Sequence, residues 1–542
     1  MDKNQVLTFE GPELSDREWG KLFVHYFNLL VCREFCLLLI WVANIRPDLP
    51  VPTTHELGLI AKAAAVNAST PTPSGFRASL DDAIVALELY ANNPRRLDPP
   101  LLSAPHSAVR AFAELIAKLP WASDRPIFCC IDEYENLLKG QQSALNTYVK
   151  HSTTPLSYKL GVRSNGLYSR ATIDNADQLQ TPDDYIEIYI TEEGFELFAE
   201  RVAEVRLARV ADFEPRVPRS IGDFLPALPV EEEAQLLGVA RITEDVLAQL
   251  DNDKFANLRA FVSSQTPLRI ALLAYWCEAH PGQSLSSLAA DWQAHPDTWA
   301  TRFGNYNHSV LFWLSRGRKG AHIKKYYTGC ATFLAMASGN IRYFMELLDR
   351  SIAYQLANSE FELNSFALSS RAQTMAAKTV GQKRLEQLEG VSGNGVRLKR
   401  LVLGIGRVFF ERTRTPGMAP EQNAFTVGGS PPDVNKVLDL LADGVGHLAF
   451  ESFARSKRTS GTEPGDLEYR IHPIYSALFE ISHRRKRRIA FDASVLLELI
   501  ESPAAGISKL LDNRTSGDDE LPEQLGLFAA FFRENPPSET PR

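Results

Sequence analysis

The chain runs to 542 residues, long enough for about three to four domains. Apolar residues make up 44% and charged residues 23%, an ordinary soluble balance, while 58 basic against 66 acidic residues leave a net charge of −8. That sign excludes a protein that is basic throughout, so any surface for nucleic acid or anionic lipid must be local.

No secretory pattern opens the chain, and the longest uninterrupted apolar stretch near the start, residues 35–42, falls far short of the ~20 residues a membrane span needs. A cytoplasmic protein without a membrane partner is expected. Six cysteines (Cys32, Cys36, Cys129, Cys130, Cys277 and Cys330) form no CxxC pair and read as reduced thiols.

In chain order, residues 6–9 read as a short strand broken by Gly11-Pro12. Ser15 and Glu18 form a capping box ahead of a long amphipathic helix carrying Trp19, Leu22, Phe23, Tyr26, Phe27 and Leu30. Residues 66–79 and 92–105, rich in Pro, Ser, Thr and Asn, read as loops on either side of a helix over 80–90. A helix over 106–119 leads to the most informative segment. There Pro126 opens five consecutive apolar residues that end in Asp132-Glu133, the pattern of a parallel strand buried on both faces. A helix over 141–151, a strand over 156–162 and a third strand over 185–190 extend the alternation of an α/β layer. From residue 192 the pattern turns helical, over 192–210, 234–250, 255–263, 267–279 and 327–337. Gly339-Asn340 then ends one helix and caps another that carries Arg342 in its first turn and reaches Ile352. Helices over 371–388, 397–412 and 432–443 precede a hairpin of 446–453 and 467–472. The expected division is 1–194, 195–352, 353–500 and a weakly ordered tail, 501–542.

Asp132 and Glu133 stand where a parallel strand would emerge at its C-terminal edge, the edge at which open α/β sheets bind ligands. Adjacent carboxylates there suit a magnesium ion and an activated water. The same pattern also fits an ordinary strand end at which acids meet solvent. Arg163, Ser164 and Asn165 follow the next strand and are suited to a phosphate by charge or hydrogen bonding. An Arg at position 342 sits at the positive end of a helix dipole, where a cation needs a nearby anion or full solvation. The expected hairpin carries Arg455, Lys457 and Arg458, and Arg484, Arg485, Lys486, Arg487 and Arg488 form a concentrated basic run. Such residues suit phosphate contact. The helix before the hairpin has Asp433, Asp439 and Asp443 against Lys436, so tracking of the backbone by hairpin and run is expected rather than base readout.

This order of motifs over about residues 6–490 resembles the AAA+/STAND-type P-loop ATPases of the origin-recognition, initiator-like group. The resemblance implies an α/β P-loop-type parallel sheet (incomplete), an all-helical lid and a winged-helix-like C-terminal module. It implies ATP and Mg²⁺ as cofactors, with Asp132 at the metal, Glu133 polarising the attacking water, and Asn165, Arg163 and Arg342 at the nucleotide. It also implies double-stranded DNA under Arg455, Lys457, Arg458 and the run 484–488, and a homo-oligomer or a partner protein. The expected function is a nucleotide-controlled switch on DNA in replication, transposition or phage defence. Two alternatives are a catalytically inactive scaffold for protein contacts and a signalling receptor whose winged helix is an internal brake. One departure is plain: no G-x-x-x-x-G-K-[ST] occurs in the sequence, so either the loop lies outside it or the chain is a pseudo-ATPase that does not hydrolyse ATP alone.

Overall fold

The structure, a computed structural model, describes residues 8–68, 71–163, 166–174, 177–188, 194–316, 323–358, 365–391, 393–416, 421–454 and 467–511. Two compact units divide the chain, Met1–Ile190 and Thr191–Arg542.

The first unit is organised on α1 (Asp16–Ile45), capped as expected by Ser15, whose hydroxyl faces the Glu18 amide while the Glu18 carboxylate accepts the Ser15 amide at 2.8 Å. By length and composition α1 is the one described helix able to cross a membrane. Here it is the spine of a core: Phe23, Leu29, Cys32, Cys36 and Leu39 are fully buried under α2 (Thr54–Ala63), α3 (Pro73–Asn92), α4 (Ser107–Ala117) and α5 (Lys139–Lys150). Burial pushes the Cys36 thiol up to about 12, so it stays protonated. The expected loop over 66–79 is shorter, because Thr72 caps α3 and Pro73 occupies its first turn, where a missing N–H costs nothing.

Strands β1 (Ile127–Ile131) and β2 (Leu156–Leu160) pair in parallel, with Ile127 opposite Leu156 and Ile131 opposite Leu160. Three expectations are corrected here. The β1 strand is not buried on both faces: Phe128 is 47% exposed and Cys130 is exposed, while Ile131 is buried. Residues 185–188 form no strand although Ile186 and Ile188 alternate, because no strand among the described residues pairs with them and the two isoleucines are 78% and 84% exposed. Residues 8–9 lie in a turn, with Phe9 buried on Tyr26; 6–7, 189 and 190 lie outside the described residues.

The second unit begins with α6 (Phe195–Ala211) and the one-turn α7 (Ile221–Phe224). Helices α8 (Val230–Leu236), α9 (Val239–Gln249), α10 (Ala256–Ser263), α11 (Pro267–Ala279), α12 (Leu285–Ala294) and α13 (Pro296–Leu314) close a helical core. Trp292 stacks on Trp299 in it, and Arg302 covers the Trp276 and Trp299 rings. A second core joins α6, α14 (Cys330–Ala337) and α15 (Ile341–Asn358) to everything that follows: α16 (Ser370–Gln387), α17 (Gly395–Arg414), β3 (Ala424–Gly428), α18 (Pro431–Gly446), β4 (Phe450–Ala454), β5 (Leu467–Ile471), α19 (Ser476–Phe479), β6 (Arg488–Asp492), α20 (Ala493–Glu501) and α21 (Pro503–Leu510).

The strands make one sheet, ordered β4-β5-β3-β6. The expected hairpin is β4–β5, antiparallel. Strand β3 joins it antiparallel through β5, and β6 joins β3 in parallel. Close packing of α17 against the rest needs its glycines: a Cβ at Gly404 would meet Leu499 at 2.1 Å, and one at Gly406 would meet Phe479 at 2.4 Å.

Candidate functional site

The parallel register of β1 and β2 puts their C-terminal ends side by side. Gly161 continues the ladder by donating its amide to the Ile131 carbonyl at 2.8 Å, and its own carbonyl accepts the Tyr134 amide at 3.0 Å. A Cβ on Gly161 would stand 2.6 Å from Asp132 Oδ1, so glycine lets the two strand ends lie flush. Asp132 and Glu133 emerge together at this edge, both exposed. Asp132 Oδ1 accepts the Glu133 amide at 2.9 Å, and Glu133 adopts a left-handed backbone (φ +56), sparsely populated for a residue with a Cβ. Its Oε2 accepts from the Asn136 side-chain amide at 2.9 Å.

Arg163 lies beside them but is engaged. Its Nε meets Glu135 Oε1 at 2.9 Å and its backbone amide lies 3.3 Å from Glu135 Oε2. Ser164 and Asn165 lie outside the described residues. The segment that follows is held from below by a fully buried glutamine. Gln142 Nε2 donates to the carbonyls of Tyr134 and Gly166, and its Oε1 accepts the amides of Tyr168 and Ser169. Asn146 adds two bonds of 2.9 Å to the carbonyls of Ser169 and Ala171 while accepting from the Tyr134 hydroxyl. Thus α5 fixes both β-strand exits through side-chain amides as well as through the apolar core that Leu145 and Tyr148 share with Ile131 and Leu156.

In the second unit, α14 ends at Ala337, and Ser338 and Gly339 take left-handed backbones (φ +44 and +78). Asn340 Oδ1 then accepts the amides of Arg342 at 3.0 Å and Tyr343 at 3.3 Å, the cap expected for α15. Arg342 is exposed in the first turn, with no carboxylate partner among the described residues.

The basic positions are partly neutralised within the chain. Buried Glu468 of β5 receives Arg485 at 3.2 Å and Arg488 at 3.4 Å, and Lys486 stands 3.7 Å from Glu421. The Arg485 guanidinium also lies over the Phe453 ring at 4.0 Å. Arg484 and Arg487 have no ion-pair partner among the described residues, and Arg487 is exposed. Arg488 opens β6, where the parallel pairing with β3 begins, with its side chain half exposed. Arg455, Lys457 and Arg458 lie outside the described residues. In α18, Lys436 faces Asp433 at 3.7 Å.

The model of the ORC-CDC6-like family matches residues 1–491, which is most of the chain. The chain belongs to the ORC-CDC6-like family. Neither the curated proteins nor the solved structures hold a match to it. As an ORC-CDC6-like chain it is related to the initiator-type ATPases, a group that in general uses nucleotide and Mg²⁺, and DNA or further copies as partners are consistent with that membership. Three residues of this ORC-CDC6-like chain went unnoticed as site residues in the sequence. Glu135 was in plain view, the last acid of Asp132-Glu-Tyr-Glu135, and its pairing with Arg163 follows once the two strand ends are neighbours. Gln142 and Glu468 carry no signal beyond a polar residue at an inward-facing position of a helix or strand.

Proposed function

We propose that this chain is an initiator-type, nucleotide-responsive switch that acts on duplex DNA. The observation that carries the reading is the flush pair of parallel strand ends, with Asp132 and Glu133 exposed beside Arg163, in a chain of the ORC-CDC6-like family. The donor set suits Mg²⁺: hard carboxylate oxygens, few in number, as for a cation that keeps waters and phosphate oxygens in its shell rather than sitting in an all-protein cage. Asp132 would hold the ion, which supplies charge neutralisation on the phosphates. Glu133 would orient the attacking water, with Arg163 and Asn165 as polar contacts at the phosphate end and Arg342 as the cation of the lid. Glu135 holds Arg163 at Nε and leaves the side chain 59% exposed, so in this reading its terminal nitrogens meet the phosphate while that ion pair orients the guanidinium. In this reading residues 195–352 are the lid and 353–500 a winged-helix-like module that tracks the DNA backbone with its hairpin and the run 484–488. Hydrolysis also needs a phosphate-cradling loop, which this reading assigns to a further segment or another subunit.

A second reading, a non-catalytic scaffold, is favoured by one observation: the Glu133 and Arg163 side chains each already have a partner within the chain, Asn136 and Glu135. Calorimetric titration with Mg·ATP separates the two. The switch reading predicts binding in roughly the micromolar to millimolar range, weakened at least about tenfold (about 1.4 kcal/mol) by Asp132→Ala. The scaffold reading predicts no binding by either protein.

A further inference from the structure

The turn that carries Arg342 is tied to the β4–β5 hairpin by one carboxylate. Ser338 Oγ donates to Glu451 Oε1, and Arg470 Nε donates to Glu451 Oε2. Glu451 and Arg470 are cross-strand partners in the hairpin, so the pair stands on one sheet face. Phe453 and Glu468 are the next cross-strand pair on that face. The Arg470 guanidinium lies 5.3 Å from the Phe453 ring, whose other visitor is Arg485 of the basic run. A second contact backs the first. The Tyr343 ring, one residue past Arg342, meets the buried His472 ring edge-on at 5.4 Å. His472 Nδ1 accepts the Ile474 amide at 3.2 Å, which leaves the proton on Nε2, 3.9 Å from Glu451 Oε1.

We infer that Glu451 is a positioning residue that couples the 338–342 turn to the hairpin, so that a displacement of either changes the freedom of the other. The physical reason is the scarcity of partners. Glu451 is largely enclosed, and its two oxygens are shared between a hydroxyl of the turn and a guanidinium of the hairpin. Pulling Ser338 away leaves a partly desolvated carboxylate one donor short, which is costly where water is excluded. Ser338 sits on a left-handed backbone next to Gly339, a conformation held by its surroundings rather than by its own preference. Coupling of this kind is reciprocal. The purpose of the link, a phosphate at Arg342 felt by the hairpin, rests on the function proposed above; the link itself does not.

The test is amide hydrogen exchange on the full chain. Ser338→Gly removes the hydroxyl and relieves the backbone, so faster exchange cannot be blamed on strain. Exchange in β4 and β5 is expected to rise at least about fivefold, with α17 unchanged. Glu451→Gln is expected to speed exchange over 339–344 to a similar degree. Ser338→Asn, which keeps a donor on a residue that tolerates left-handed backbone, is expected to restore the unsubstituted rates. Unchanged hairpin exchange in Ser338→Gly, or a rise spread equally over α17, overturns the coupling. The same samples with duplex DNA separate the two proposals. Failure of the duplex to bind, with hairpin exchange still raised by Ser338→Gly, retires the DNA reading and upholds the coupling.

Discussion

His25 is buried in α1, where its Nδ1 accepts the Ser103 amide at 3.1 Å, and His472 is buried at the end of the hairpin. In both, burial pushes the imidazole down to about 4 from its ordinary 6.5, so each is neutral in the folded protein near neutrality. Below pH 6.5 the unfolded chain takes up protons that the folded chain refuses. Stability is therefore full above pH 6.5, falls as the pH drops toward 4, and falls no further on their account below that. Each histidine costs about 2 kcal/mol at pH 5. Replacing either with glutamine, which does not titrate, is expected to flatten its share of the loss in denaturant midpoints measured at pH 7 and pH 5; equal acid sensitivity in the variant would refute the assignment. At this scale the sequence was only partly legible. Asp132, Glu133 and the Asn340 cap could be read from residue type and spacing. Glu135 holding Arg163, and Glu468 holding Arg485 and Arg488, could not, because those partners come together only through strand register.

Among the elements, α5 decides how firmly the strand exits are held. Gln142 is completely buried and uses both donors and its carbonyl on the backbone of 134 and 166–169, so Gln142→Leu, similar in size, strands several buried polar groups at once. A loss of at least about 2 kcal/mol in the first unit is expected, with faster exchange at the Tyr168 and Ser169 amides. Retention of both would mean that the loop is held by other contacts. The elements that the sequence disclosed are those with local signals: the Ser15–Glu18 box of α1, the apolar run of β1, and the β4–β5 hairpin. Strand β6 was hidden because it starts inside the basic run, and β3 because its five residues, ending at Gly428, lack the length to declare a period. The strand expected over 185–190 failed for the opposite reason: alternation was present, but no neighbour was there to pair with it among the described residues. Periodicity reports a face, and a strand also needs an edge to dock on.

For the molecule as a whole, the net charge of −8 requires that the proposed DNA contact come from a local surface. Arg485 and Arg488 share the single carboxylate of Glu468 and Lys486 stands near Glu421, which leaves Arg484 and Arg487, with the sequence positions 455, 457 and 458, as the basic residues on which the DNA claim most depends. Membership in the ORC-CDC6-like family gives that claim its context. The most direct test is titration of a labelled duplex with the full chain across a salt series, for the unsubstituted protein and for Arg487→Ala. The account predicts binding that weakens at least about 100-fold between about 50 and 200 mM salt, with a log–log slope reduced by about one in the variant. No binding at the lowest salt, or binding indifferent to salt and to Arg487, would contradict it.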